Sequence, residues 1–247
     1  MKVLIVEDDP LHRMYLNEAV HAALPECELI MEASDGLACE KLAREYRFDK
    51  IVMDLQMSPR NGIEAARTIW HERPETSILF WSNFADEANV RGIARIVPDG
   101  AAYGYVLKSA SEERLHLALR SIFVEAQCVI DREIRGLQQK SLGNVYGFSD
   151  SEYEILIDIA LGLTDRAIAR RRNLSLRSVQ NRLQSIYDKL GVYNPSADTS
   201  SEALFNLRTR AVTVAFLRKL LNHPALERAE ADLAIWLKRI ARQDAQL

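Results

Sequence analysis

The stretch IVMDLQM, residues 51–57, ends an apolar run on a carboxylate, Asp54, at the point where the run stops and turns. A buried parallel strand ends in this way, apolar on both faces and polar at its C-terminal tip. A second run near the N-terminus, VLIV from Val3 to Val6, ends in Glu7, Asp8 and Asp9. Two parallel strands of this kind bring four carboxylates into one crevice, where their mutual repulsion calls for a hard, oxygen-preferring cation such as Mg²⁺. The crevice at strand C-termini is also where open α/β sheets bind ligands.

Outward from these strands, apolar runs alternate with helix-period stretches through the first 125 residues. KVLIV is followed by a helix from Pro10 to about Leu24, ELIMEA by one from about Leu37, and KIVMD by one from Asn61 to His71. SILFWS precedes a helix near Asp86 to Ile96, and YGYVLK precedes one from Ser111 to about Val124. Five strands and five helices in strict alternation predict a doubly wound parallel sheet with helices on both faces. Right-handed crossovers then collect strand ends at one edge. Ser82 and Lys108 stand at two further strand ends on that side, and Tyr105 lies inside the last strand.

Singly, each residue has an ordinary structural reading. Asp54 fits a helix cap or a loop, Glu7-Asp8-Asp9 a capped helix start before Pro10, and Lys108 a solvated surface charge. In this order they supply what phosphoryl transfer to a carboxylate needs: a nucleophile, a metal site, and a hydroxyl and an ammonium that recognise phosphoryl oxygens.

With these positions assembled, residues 1–122 resemble the receiver domains of two-component response regulators. The resemblance implies a flavodoxin-like fold and phosphorylation of Asp54 from a sensor histidine kinase. Glu7, Asp8 and Asp54 would hold Mg²⁺ together with the backbone carbonyl of Gln56. Ser82 and Tyr105 would form the switch pair, and Lys108 would sense the phosphoryl group. The sequence departs from the family where Ser58 occupies the usual proline position and the proline is Pro59, although Gly62 stands where expected. Ser109, not proline, follows Lys108, and the span from Ser82 to Lys108 is longer than usual around RIVPDGAAYG. The fourth helix or its exit loop is therefore expected to be remodelled.

Composition separates the two halves of the chain. The 247 residues suffice for two domains with cores of their own. Residues 1–125 carry 14 Lys/Arg against 21 Asp/Glu, a net of −7, and residues 148–222 carry 11 against 8, a net of +3. The acidic and basic parts are expected to meet different partners, the latter nucleic acid. No apolar run approaches the roughly 18 residues that span a bilayer, and MKVLI leads directly into a strand, so a cytoplasmic protein without membrane contact is expected. Cys27, Cys39 and Cys128 lack metal-ligand spacing and read as buried thiols. The five histidines are isolated and read as surface or packing residues.

After a linker at 126–147, whose Val129, Ile130, Ile134 and Leu137 continue from Ile122 with partial helical periodicity, the pattern changes. A helix through YEILIDIALG, capped by Ser149 or Ser151, ends at Gly162. The short helix DRAIARRR follows, then a turn at Asn173 and Leu174, then a helix from about Leu176 to Leu190 capped by Ser175. Short helices, tight turns, and a last helix with arginine and amides on one face read as a helix-turn-helix. Arg170-Arg171-Arg172 fits either a solvated helix end or phosphate contact.

FSDSEYEILIDIALGLTDRAIARRRNLSLRSVQNRLQSIYDKLGV resembles the DNA-binding domain of the LuxR/NarL class almost end to end, with Leu156, Ala160, Gly162, Ile168, Ala169, Val179, Ile186 and Leu190 matching its apolar skeleton. The resemblance implies that Gln180, Asn181 and Gln184 face base edges in the major groove of double-stranded promoter DNA. It makes Thr164, Arg166, Arg177, Arg182 and Lys189 candidates for phosphate contact, with Arg182 also able to read guanine. The domain is assigned to 148–222, with an insertion near 194–207 and its fourth helix resuming at Thr209. An additional helix at 223–247 carries Leu226, Leu233, Ile235, Trp236, Leu237 and Ile240. Its apolar stripe fits packing on its own domain or on a partner protomer. The whole reads as a phosphorylation-controlled transcription factor acting as a homodimer, a switch and not an enzyme. The alternative is a constitutively dimeric DNA-binding or interaction module whose receiver is independent of phosphorylation.

Overall fold

The computed structural model describes residues 1–83, 86–132, 134–135, 147–193 and 205–244. Two compact units emerge, Met1–Ala85 with Asn89–Leu137, and Gln138–Leu247 with Asp86–Ala88. In the first, strands β1 (Lys2–Val6), β2 (Leu29–Ala33), β3 (Lys50–Met53), β4 (Ser77–Ser82) and β5 (Tyr103–Leu107) alternate with helices α1 (Pro10–Ala23), α2 (Gly36–Tyr46), α3 (Gly62–Glu72), α4 (Glu87–Ala94) and α5 (Glu112–Phe123). A sixth strand, β6 (Val129–Ile130), extends the sheet, whose order is β2-β1-β3-β4-β5-β6 with every described pairing parallel. The expected doubly wound sheet is present, one strand longer than the alternation predicts.

Alternation along each strand sorts the core into two layers. Val3, Ile5, Val52, Leu79, Trp81 and Val106 pack with α1 and α5. Leu4, Val6, Ile51, Met53, Phe80, Tyr105 and Leu107 pack with α2, α3 and α4. Helix starts are set by their caps: Asp9 accepts from the Leu11 and His12 amides, Asp35 from those of Leu37 and Ala38, and Asn61 from that of Glu64. Helix α4 is shorter than the expected Asp86–Ile96.

The linker contributes β6, which its periodicity did not announce. Asp131 then reaches back to β5: its N–H donates to the Tyr105 carbonyl at 3.1 Å, and its carboxylate accepts from the Leu107 N–H at 2.9 Å and from Arg114 Nε at 2.9 Å. Gly104 makes room for this pairing, since a Cβ there would collide with Ile122 and the Val129 carbonyl. Residues 136–146 of the linker, and most of the insertion near 194–207, lie outside the described residues.

The second unit contains α6 (Asp150–Ala160), α7 (Asp165–Arg172), α8 (Leu176–Leu190), α9 (Leu207–Leu217) and α10 (His223–Asp244). Ser149 and Glu152 close a capping box at the start of α6. Asn173 and Gly191, both at positive φ, end α7 and α8. Helix α9 starts at Leu207, two residues before the expected Thr209, with Asn206 as its cap. On α10, Ala229 and Leu233 are buried and Leu226 and Trp236 pack against the domain core, whereas Ile235 and Leu237 stay exposed. Packing on its own domain thus accounts for one part of the stripe.

The described helices include none long and apolar enough to cross a membrane. Of the cysteines, only Cys39 is buried; Cys27 is half-buried and Cys128 is exposed on the linker, which corrects the expectation of three buried thiols.

Candidate functional site

The ends of β1, β3, β4 and β5 meet as the sequence requires. Ladder hydrogen bonds continue past the strand tips, Glu7 N–H to the Ala33 carbonyl, Asp54 N–H to the Val6 carbonyl and Lys108 N–H to the Ser82 carbonyl, and these fix the side chains at the crevice. Lys108 Nζ lies 2.8 Å from Glu7 Oε2 and 3.2 Å from Asp54 Oδ2. Glu7 is wholly buried and Asp54 nearly so, while Asp8 faces solvent. Burial pushes the Asp54 carboxyl above its ordinary pKa despite the Lys108 charge and the Gln56 amide. Glu7 is likewise raised, by burial first and by Asp54 in addition, against the opposing pull of Lys108.

The Asp54 carboxylate is held in one orientation. Oδ1 accepts from the Leu55 N–H at 2.6 Å and the Gln56 N–H at 3.3 Å, which leaves Oδ2 toward Lys108. Gly62 permits the sharp return into α3, because a Cβ there would strike the Asp54 carbonyl oxygen. One carboxylate oxygen from each of Glu7, Asp8 and Asp54 lies within 4.8 Å of the others. An all-oxygen donor set with excess negative charge suits a hard divalent cation.

Ser82 and Tyr105 are buried on the α3/α4 face, with Phe80 registered against Tyr105 and Ser82 against Leu107. They share one side of neighbouring strands, two residues apart. Gln56, two residues after Asp54, is exposed.

Sequence reasoning passed over two residues here. Arg13 donates to the Glu7 carbonyl at 2.6 Å and the Asp8 carbonyl at 3.2 Å, holding the loop that carries the acidic pair. His12, read as a surface or packing residue, instead places Nδ1 at 3.3 Å from Lys108 Nζ and 3.4 Å from Glu7 Oε1. A signal was available, since a helix N-terminus directly after Glu7-Asp8-Asp9 must present its first-turn side chains near the crevice.

In the second unit α8 has two faces. Val179, Leu183, Ile186 and Leu190 are buried, and Arg177, Gln180, Asn181 and Gln184 are exposed on the opposite side. Arg166 is exposed on α7. Other expected contacts have partners within the domain: Thr164 Oγ1 accepts from the Ala167 N–H, Arg182 donates to the Ser178 carbonyl, and Gln184 donates to Asp188. Lys189 Nζ sits 2.7 Å from Glu152 and 3.1 Å from the Gly147 carbonyl.

The arginine triplet resolves by position. Arg171 and Arg172 both bond to Asp158, a fully buried carboxylate on the inner face of α6. Their guanidiniums neutralise that charge, a structural duty neither expected reading anticipated.

A model of the response regulator receiver domain matches residues 3–120. The chain is 33% identical over 227 residues to transcriptional regulatory protein YdfI of Bacillus subtilis (strain 168), covering 89% of this chain and 97% of that protein. It is 29% identical over 205 residues to oxygen regulatory protein NreC of Staphylococcus aureus (strain JH9), covering 78% and 92%. Among solved structures, the complex of the two-component response regulator RcsB with DNA aligns at a TM-score of 0.56 and 20% identity, over 87% of this chain and 98% of that one. That last likeness is one of fold.

Proposed function

The chain belongs to the response regulators of the NarL/LuxR type, transcriptional regulators of two-component systems, and on that premise we propose that Asp54 is its phosphoacceptor and α8 its DNA-reading helix. The observation that carries the first assignment is the buried carboxylate of Asp54, fixed by two backbone amides on Oδ1 and facing Lys108 through Oδ2.

The donor is a phosphohistidine of a cognate sensor kinase. Asp54 Oδ2 attacks phosphorus, a P–O bond forms as the P–N bond breaks, and the released imidazole takes a proton from solvent. Lys108 exchanges its ion pair with Asp54 for one with a phosphoryl oxygen, and the Ser82 hydroxyl donates to another. Glu7, Asp8, Asp54 and the Gln56 carbonyl would hold Mg²⁺, which would supply charge neutralisation for the acids and the incoming phosphoryl group. Tyr105, beside Ser82 on the same face of the sheet, responds to the hydroxyl's new position and completes the switch. The chain's own work ends with this transfer and its consequences for DNA binding, so it is a switch and not an enzyme acting on other substrates.

The output is binding of a homodimer to two half-sites of promoter DNA. Gln180, Asn181 and Gln184 are offered to base edges, and an Asn or Gln side chain can pair bidentately with adenine. Arg177 and Arg166 suit the phosphate backbone, with Thr164, Arg182 and Lys189 as further candidates whose present bonds must be exchanged or shared. Phosphorylation can shift the receiver only as far as it stabilises the active state over the inactive one.

The test is fluorescence anisotropy on promoter-length duplexes drawn from a site selection, with Mg²⁺ and with or without beryllofluoride. Tighter binding with the phosphoryl mimic in the wild type, and none of that gain in Asp54→Asn, is the expected result. Equal affinity in all four conditions would favour the constitutive module.

A further inference from the structure

Among the described residues, four groups surround Lys108, two of them acids. Glu7 Oε2 and Asp54 Oδ2 lie on one side. On the other are His12 Nδ1 at 3.3 Å and the ring of Trp81, whose centroid is 4.9 Å from Nζ. An ammonium offers only hydrogen-bond donors, so in this contact Nδ1 is the acceptor, and the same nitrogen stands 3.4 Å from Glu7 Oε1. His12 is itself held in place. Its amide is bonded to the Asp9 cap, and its ring stands edge-on to Trp81 at 5.5 Å and 82°. Trp81 in turn is buried and stacks on Tyr15.

The division matters once the proposed cation is present. A divalent ion among Glu7, Asp8 and Asp54 engages the lone pairs that now attract Lys108, and it repels the ammonium. The acids then no longer fix a long, flexible side chain near Asp54. The imidazole nitrogen lone pair and the aromatic face are not carboxylates for the metal to claim, and both keep their hold. We propose that His12 is a positioning residue for Lys108, presenting the ammonium to the phosphoryl oxygens at Asp54 in the metal-loaded site. This inference rests on the assignment of Asp54 as phosphoacceptor.

Beryllofluoride affinity of the full-length protein at saturating Mg²⁺, measured by titration calorimetry alongside the Mg²⁺ affinity itself, tests it. His12→Ala is expected to weaken beryllofluoride about tenfold, the scale of one hydrogen bond to a charged group. The Mg²⁺ affinity should stay within about twofold, because His12 is not a metal ligand in this arrangement. His12→Asn, whose side-chain oxygen can take the place of Nδ1, should recover most of the loss. In a Lys108→Ala background His12→Ala should cost nothing further, since its effect passes through Lys108.

An unchanged affinity in His12→Ala overturns the proposal, and so does an undiminished His12→Ala effect without Lys108. A wild type that fails to bind beryllofluoride at all, or Asp54→Asn that binds it as well as wild type, removes the phosphoacceptor assignment and this inference with it.

Discussion

Glu7 and Asp54 are carboxylates held out of water within reach of one ammonium, and burial raises both above their ordinary pKa. A carboxyl raised on folding costs stability once ionised. That cost is absent in acid and grows as pH climbs from about 4, the unfolded range, through the raised folded-state values. At neutral pH without divalent ions, Glu7→Gln should therefore raise the receiver's unfolding temperature. The same variant should lose the stabilisation expected from the proposed Mg²⁺ in the wild type. Calorimetry in EDTA and in Mg²⁺ checks both, and a lower unfolding temperature in EDTA would contradict the reading of these acids as mutually strained. Glu152 behaves oppositely. Burial opposes its ionisation, but hydrogen bonds from Lys189, Ser185 and Ser149 prevail and lower its pKa to about 2. Its contribution is complete above the unfolded value of 4.5 and is lost as pH falls through about 2. Glu152→Gln should cost the second unit on the order of 1–3 kcal/mol at pH 7 and flatten its acid-side stability profile, as followed by chemical denaturation.

Among elements, β6 has the most to say about signal output, because it joins the linker to the strand that carries Tyr105 and leads into Lys108. Asp131 accepts the Leu107 amide hydrogen one residue before Lys108 and is clamped by Arg114. Asp131→Ala should speed hydrogen exchange at the Leu107 amide by about tenfold or more while β1 and β3 amides keep their protection. Unchanged exchange at Leu107 would show that the carboxylate does not hold the strand. The sequence could not reveal this element: β6 has two residues, and Ile122, Val129, Ile130 and Ile134 recur at spacings that suit a helix. In contrast, β1 and β3 were legible because each ends an unbroken apolar run on acids, and α8 because Val179, Leu183, Ile186 and Leu190 keep one face apolar over its whole length. Legibility failed again where a partner comes from a distant element. Nothing local to Asp158 says that Arg171 and Arg172 will cover it, and nothing local to His12 says that a lysine nearly a hundred positions away will reach it.

For the molecule as a whole, charge separates the two tasks. The acidic receiver half gathers carboxylates around a proposed cation, and the basic half exposes Arg177 among the amides of α8 and Arg166 on α7. Removal of either arginine should lower the slope of log affinity against log salt by about 1 with little change in sequence preference. Arg171→Ala should instead lower stability and leave the slope unchanged, its guanidinium being spent on Asp158. Asn181→Ala should flatten the selected binding motif at its contacted position, and an unaltered motif would remove it from the base-reading set.

The central claim is that Asp54 takes up a phosphoryl group with Mg²⁺. The most direct measurement is intact-mass and peptide mass spectrometry after incubation with acetyl phosphate. One added phosphoryl group, mapped to Asp54, is expected for the wild type with Mg²⁺, and none for the wild type in EDTA or for Asp54→Asn. A wild type that stays unmodified with Mg²⁺, or an Asp54→Asn protein that is modified to the same extent, would contradict the account.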